Sequence, residues 1–334
     1  MTYTIEKVTT LIGARRYGDN DTNIGFILTD SRSLCFPEET LFFALKSERN
    51  DGHNYIPELY RRGVKNFVVT DVPKGYASDY PEANFLKVVN TLEALQRLAE
   101  RHRDEFNIPI VGITGSNGKT MVKEWLYQLL SPSMFVTRSP RSYNSQIGVP
   151  LSVWLMNEQT QVGVFEAGIS QPGEMLALRD IIQPTIAVLT NVGSAHQENF
   201  SSLEEKCREK LILFHDAETV VYDGDDEVIT KVVAEYPDYK GEKLFWSLQN
   251  PEAPFYVKKI EKQQSVSVIT YIYKGAEDSF SIPFIDDASI QNSIICAAVA
   301  SKIGLSAEDI DKRMALLEPV AMRLEVKVGQ HGCT

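Results

Sequence analysis

One segment limits the folds open to this chain more than any other. Residues 107–130 read NIPIVGITGSNGKTMVKEWLYQLL: a β-branched run, a glycine-rich turn, then apolar residues at helical spacing. A strand passing straight into a helix is a βα unit, and such units repeat into a mainly parallel sheet with helices on both faces. Met121, Val122, Trp125, Leu126, Leu129 and Leu130 supply the stripe that packs on the sheet. The turn carries its own chemistry. Gly115, Ser116, Asn117 and Gly118 allow backbone N–H groups to converge on an anion, with the positive end of the helix behind them. Lys119 adds a charge for the β- and γ-phosphates of a nucleotide, and the Thr120 hydroxyl is placed to ligate Mg2+. The pattern departs from GxxxxGKS/T, because the position six before Lys119 is Ile113 and glycines stand instead at 112, 115 and 118. The competing reading is a glycine-rich turn that holds no ligand.

The rest of the chain repeats the alternation. Residues 1–106 place the strands GFILT, TLFFAL, NFVVT and NFLKVV among helical stretches at YIPELYRRG and TLEALQRLAERHRDEF, which predicts a small α/β domain. Residues 107–322 form a second domain, with further strands at QVGVFEAG, PTIAVLTN and ETVVYD separated by helices. The closely spaced strands KLFWSL, PFYVKKI, SVSVITYIY and SFSIPF predict antiparallel additions to its sheet, followed by helices at about 287–303 and 306–317. After Arg323, LEVKVGQHGCT reads as a strand and a stop rather than a domain.

Charge and cysteine usage narrow the partners. A net charge of -11 speaks against nucleic acid or an anionic membrane, so an anionic ligand needs a local basic cluster. Cys35, Cys207, Cys296 and Cys333 show no CxxC pair or metal-ligand spacing and read as reduced thiols. No apolar run approaches the roughly 20 residues of a membrane span, and MTYTIEKVTTLIGARR lacks a signal's apolar core, so a cytoplasmic location is expected.

TGSNGKT, with the strand before it, resembles the ATP loop of the Mur ligases, cytoplasmic enzymes that add amino acids to the peptidoglycan precursor. TDSRSLCFPEETLFFALKSERNDGH at 29–53 is similar to the uridine-nucleotide-binding start of that family, and YNSQIGVPLSVW at 143–154 to its D-Ala-D-Ala-adding branch. FEAGISQPGEM, TNVGSAH and PVAMRLEV follow in family order, so the likeness covers nearly the whole chain. The resemblance implies an N-terminal UDP-binding domain and a central ATP-binding domain, with the family's third domain due where this chain stops. A truncated form, poor at ligation, is therefore expected. For ATP the resemblance implies contacts from the 115–120 loop, from Asn292 at the nucleoside and from Arg323 at a phosphate. The family's His-Asn pair before Asn292 reads Ala288-Ser289 here, and Met322 replaces a glycine beside Arg323. Ser31, Arg32 and Lys46 are implied at the uridine nucleotide, and Asn144 and Ser145 at the muramoyl peptide, with Ser145 replacing a second asparagine.

Three residues bear on the metal. Glu166 ends the apolar strand VGVF, at the edge where open α/β sheets bind ligands, and alone fits either a Mg2+ ligand or a solvated carboxylate. His196 alone fits a structural role as readily as ligation. Lys210 belongs to a helix expected to start at Ser202, with Glu205 closing a capping box. Leu203, Cys207, Lys210 and Phe214 share one face of that helix, so the lysine lies on the apolar stripe. Desolvation lowers a lysine's pKa, and a neutral amine reacts with CO2 to give a carbamate; snorkelling to solvent is the alternative. In the family the residues matching Glu166 and His196 lie at the metals, and a carbamylated lysine holds Mg2+. Lys210 follows His196 by fourteen residues, as it does there.

The implied reaction is an ADP-forming amide ligation. The carboxylate of UDP-MurNAc-tripeptide attacks the γ-phosphate of ATP, and the amine of D-Ala-D-Ala then displaces phosphate from the acyl phosphate. Lys119, Glu166, His196 and Lys210 form the implied catalytic set. Two other readings stand beside it: a ligase adding one amino acid to UDP-MurNAc-dipeptide, and a non-catalytic module that binds UDP precursors.

Overall fold

The computed structural model describes residues 1–193, 199–236 and 239–320. In chain order it opens with β1 (Tyr3–Thr4), α1 (Ile5–Ile12), β2 (Arg15–Tyr17), β3 (Asn23–Ile24), β4 (Phe26–Leu28) and β5 (Thr40–Phe43). Next come α2 (Ile56–Arg61), β6 (Asn66–Val69), α3 (Tyr76–Asp79), β7 (Asn84–Lys87) and α4 (Thr91–Arg103). The middle holds β8 (Ile110–Thr114), α5 (Lys119–Leu130), β9 (Val136–Arg138), α6 (Gly148–Val153), β10 (Val162–Glu166) and α7 (Glu174–Ile182). It continues through β11 (Ile186–Leu189), α8 (Leu203–Leu211), β12 (Thr219–Asp223), α9 (Glu227–Ala234) and β13 (Glu242–Ser247). The last elements are β14 (Phe255–Lys262), β15 (Ser267–Tyr273), β16 (Ala276–Ile282), α10 (Asp287–Ile303) and α11 (Ala307–Met314). Two compact units divide them: Met1–Gly112 with Thr137–Thr185, and Ile113–Val136 with Ile186–Thr334.

In the first unit β4, β5, β6 and β7 run parallel as neighbours in that order, and β2 joins β7 antiparallel. The two-residue period of β5 gives this sheet its two cores. Leu41 and Phe43 pack with Ile5, Val8 and Ile12 of α1 and with Leu95 and Leu98 of α4. Phe42 faces the other way, toward Ile56 and Leu59 of α2 and the rings of Phe67 and Phe85. Helix α1 was not expected. Its apolar residues do recur at helical spacing, the Thr4 hydroxyl accepts from the Lys7 N–H at 3.2 Å, and Gly13 closes the helix in the left-handed region. Beside β8 in this unit lie β10 and β9, where the Gly163 N–H donates to the Pro109 carbonyl and the Ser139 N–H to that of Val164.

The second unit orders its strands β16-β15-β14-β13-β12-β11, and the Thr190 N–H after β11 donates to the carbonyl of Thr114 at the end of β8. The expectation that all four strands from residue 243 are antiparallel fails at β13, which pairs parallel with β12 and with β14. Crossover helix α9 carries the chain back to the starting edge before β13, and that return makes the pair parallel. The link from β13 to β14 is too short for a full crossover, so only Trp246 and Ser247 find parallel partners there. Beyond it β14, β15 and β16 form antiparallel ladders as expected. Helix α10 packs on α5, with Trp125 stacked on Phe284 at 5.2 Å between ring centroids. Among the described residues no helix is long and apolar enough to cross a membrane. Cys35, Cys207 and Cys296 are free thiols; Cys333 lies outside the described residues.

Candidate active site

In the second unit the glycine-rich turn is a tightly held loop. Every residue of β8 is buried, and the chain then turns through Gly115 at φ 144° and Gly118 at φ 81°, a range that favours glycine. A side chain at Gly115 would bring its Cβ within 1.9 Å of Thr190 Oγ1, and one at Gly118 within 2.5 Å of Asn292 Oδ1. The segment 190–193 straps residues 116 and 117. The Ser116 N–H donates to the Asn191 carbonyl at 3.0 Å, the Asn117 N–H to Asn191 Oδ1 at 3.0 Å, and the Thr190 hydroxyl to the Asn117 carbonyl. Gly193 closes the strap, its N–H donating to Ser116 Oγ at 2.8 Å. Lys119 bends back so that Nζ donates to the carbonyls of Gly115 at 2.6 Å and Ser116 at 3.2 Å. Thr120 follows it in the first turn of α5, half-buried. Asn292, 6% exposed in α10, lies beside Gly118 with Nδ2 3.2 Å from Met121 Sδ.

Helix α8 delivers Lys210 to this loop. The Ser202 hydroxyl caps it by accepting from the Glu205 N–H at 3.1 Å. Only half of the expected capping box forms, because the Glu205 carboxylate accepts from the N–H and hydroxyl of Ser201 rather than from Ser202. Cys207 and Lys210 face inward and Leu203 is half-buried. Lys210 is 2% exposed, its Nζ 3.3 Å from the Gly115 carbonyl, so the snorkelling alternative fails. Burial first, then the Lys119 and Lys206 ammoniums, pushes its amine down to about 7. Lys206, one turn earlier, escaped sequence reasoning. It is 2% exposed and its Nζ donates to the Gly193 carbonyl at 2.6 Å. The four-residue spacing to Lys210 was the available signal, since it sets both on one helix face.

The first unit holds the remaining candidates. Glu166 is fully buried at the end of β10, its N–H donating to Ser139 Oγ at 3.2 Å, so it is no solvated strand-end carboxylate. The Asn144 carbonyl accepts from the Gly168 N–H, and Ser145 Oγ accepts from the Gly148 N–H at the start of α6. Ser31, Arg32 and Lys46 meet in a cleft of about 530 Å³, walled also by Thr29, Asn50 and Tyr55. Arg32 grips Asp30 with Nη2 at 2.6 Å from Oδ2, and these bonds hold the Asp30 carboxyl down to about 2. Lys46 lies 3.5 Å from Asp51. Sequence reasoning also missed His53. Its Nε2 accepts from the Thr70 N–H at 3.1 Å, which leaves Nδ1 to donate to Asp51, the neighbour of Lys46, at 2.6 Å. His196 and Arg323 lie outside the described residues.

Two family models match the chain. The Mur ligase middle domain covers residues 113–300, and the Mur ligase family catalytic domain covers 23–103. The chain belongs to the Mur ligase family. A curated Bacillus subtilis relative, a UDP-N-acetylmuramoyl-tripeptide--D-alanyl-D-alanine ligase, is 29% identical over 312 residues, 91% of this chain. The chain spans 64% of that relative's length. Among solved structures, MurF from Acinetobacter baumannii superposes with a TM-score of 0.87 at 24% identity, covering 99% of this chain and 72% of that one. The MurF ligase from Thermotoga maritima in complex with ADP gives 0.77 at 25% identity, covering 91% and 68%.

Mur ligases are ATP-dependent, and the side chains here suit a hard cation better than a soft one. Thr120 and Glu166 offer oxygen, and among the described residues no three His, Cys, Asp or Glu side chains gather into a dedicated cage. Each of these oxygens, taken by itself, is of the kind that Mg2+ accepts alongside waters and substrate phosphates.

Proposed function

We propose that this chain carries the nucleotide-binding and UDP-precursor-binding parts of a cytoplasmic, ADP-forming ligase that joins D-Ala-D-Ala to UDP-MurNAc-tripeptide. The observation that carries the reading is the convergence of Lys119 and the buried Lys210 on the Gly115 carbonyl, within a glycine loop at a helix start. The relatives' printed activity supports the choice of substrates. On this reading residues 1–106 bind the UDP precursor and 107–322 bind ATP, with 323–334 as the hinge. Gly115, Ser116, Asn117 and Gly118 cradle phosphate, Asn292 meets the nucleoside, and Arg323 meets a phosphate. Ser31, Arg32 and Lys46 hold the uridine nucleotide, and Asn144 and Ser145 the muramoyl peptide.

Lys119 turns from its loop carbonyls to the transferring phosphoryl group, where its charge counts most as negative charge spreads over the oxygens. Thr120, Glu166, His196 and a carbamylated Lys210 would hold Mg2+, which supplies charge neutralisation at the phosphates. A Lys210 amine near neutrality at pH 7 suits the carbamate, because only the free amine attacks CO2. The precursor's carboxylate is the nucleophile toward ATP, so the protein's work is positioning and electrostatics. Calorimetric titration with Mg-ATP and, separately, with UDP-MurNAc-tripeptide tests this. Each should bind one-to-one. Absence of both would overturn the reading, and tighter binding of UDP-MurNAc-dipeptide would move it to the branch that adds a single amino acid.

A further inference from the structure

The strap 190–193 is the part of the second unit that gives the phosphate loop its shape, and Gly193 is the residue of it that α8 reaches. That residue is held from both sides. Ser116 Oγ accepts from its N–H and donates to its carbonyl at 3.2 Å, while Lys206 Nζ donates to the same carbonyl at 2.6 Å. The Lys206 ammonium also faces the Phe200 ring, 5.9 Å from its centroid. A lysine on a buried helix face loses hydration, which a charge-assisted bond to a carbonyl must offset. One turn on, Lys210 makes the matching contact with the Gly115 carbonyl, so α8 grips the loop's first residue and the strap's last.

We propose that Lys206 is a positioning residue for nucleotide binding: by anchoring Gly193 it holds the strap on Ser116 and Asn117 and keeps the phosphate loop in its binding shape. The proposal rests on reading the loop as a nucleotide site and goes beyond it in assigning Lys206. Without the ammonium, Gly193 keeps the Ser116 hydroxyl among its partners in the described residues, and the two loop N–H bonds to Asn191 lose their backing.

Two measurements on this chain separate the proposal from the reading beneath it. Hydrogen exchange without nucleotide should show the Ser116 and Asn117 amides of Lys206→Met exchanging about tenfold faster, the effect of losing one charge-assisted bond. The amides of β8 and α5 should be unmoved, whereas simple destabilisation would speed all of them. Mg-ATP affinity should fall by a similar factor of about ten and return to within about threefold in Lys206→Arg, whose guanidinium reaches the same carbonyl. Lys231→Met, on the exposed side of α9, serves as the unchanged control. Unaltered exchange at Ser116 and Asn117 in a folded Lys206→Met protein overturns the proposal, as does a folded Lys206→Arg protein that regains neither protection nor affinity. If Lys206→Met does not fold, Lys206→Gln is read by the same two measurements. Wild-type protein that ignores Mg-ATP but loses strap protection on substitution would refute the nucleotide reading while leaving the strap anchor standing.

Discussion

The two units present their cations in opposite ways. Around the phosphate loop Lys206 and Lys210 are each 2% exposed and direct their side-chain nitrogens at backbone carbonyls. In the cleft of the first unit Arg32 and Lys46 have side chains 86% and 68% exposed and lean on acidic neighbours in the same loops. Buried charge costs hydration and is tolerated only in one geometry, so the loop is shaped before any ligand arrives. Exposed pairs are screened and can be remade, so the cleft can change partners at little cost.

The sharpest way to break the contrast is Gly115→Ala. Its methyl group would meet Thr190 Oγ1 at a φ that disfavours any side chain, and Mg-ATP affinity should fall more than ~100-fold in calorimetry. A substitution tolerated with affinity intact would show that the loop is not preorganised. Acid separates the units next. His102, 1% exposed in the first, accepts from the Tyr3 hydroxyl at Nδ1 and donates to the Met156 carbonyl at Nε2, and burial depresses it to about 4. The unfolded chain takes up that proton near 6.5, so stability from the neutral ring is full above 6.5. It is lost as pH falls toward 4, by roughly 3 kcal/mol.

Asp223 in the second unit has the opposite sign. Burial raises it to about 6, so between about 6 and 3.8 the folded unit holds a proton the unfolded chain has released, and acid favours it. Hydrogen exchange at pH 7 and pH 4.5 should therefore show the first unit opening first, with His102→Gln removing most of the difference. Equal loss in both units would contradict this. Lys119→Met ranks third, lowering Mg-ATP affinity about 30-fold while leaving UDP-precursor affinity alone. Smallest is Lys46→Met, about threefold on UDP-MurNAc-tripeptide and erased by high salt; a salt-independent loss would mean that the cleft's charges are less screened than their exposure implies.

What could be read from the sequence followed how local the cause was. The strand, loop and helix around residue 115 needed only neighbours in the chain, whereas the place of Lys210 beside Cys207 on one helix face left snorkelling open and the family spacing from His196 singled the lysine out. Strand β13 needed to know where α9 would return the chain, which periodicity does not record. Lys206 hid because a lysine among charged neighbours in LEEKCREKL reads as solvated by default, while its amine meets the Gly193 carbonyl, thirteen residues back in the chain. The meeting of Ser31, Arg32 and Lys46 was available through family likeness alone. The Thr29 to Tyr55 wall comes from the loops that follow β4 and β5, which only the parallel pairing of those strands sets side by side, and the cleft has no local pattern to announce it.

One ring contact offers a practical return. Trp154 lies 4.7 Å from the His102 ring between centroids, while the other two tryptophans, Trp125 and Trp246, belong to the second unit. An imidazolium drains indole emission far better than an imidazole does, so the protein contains an optical gauge of protonation in its first unit.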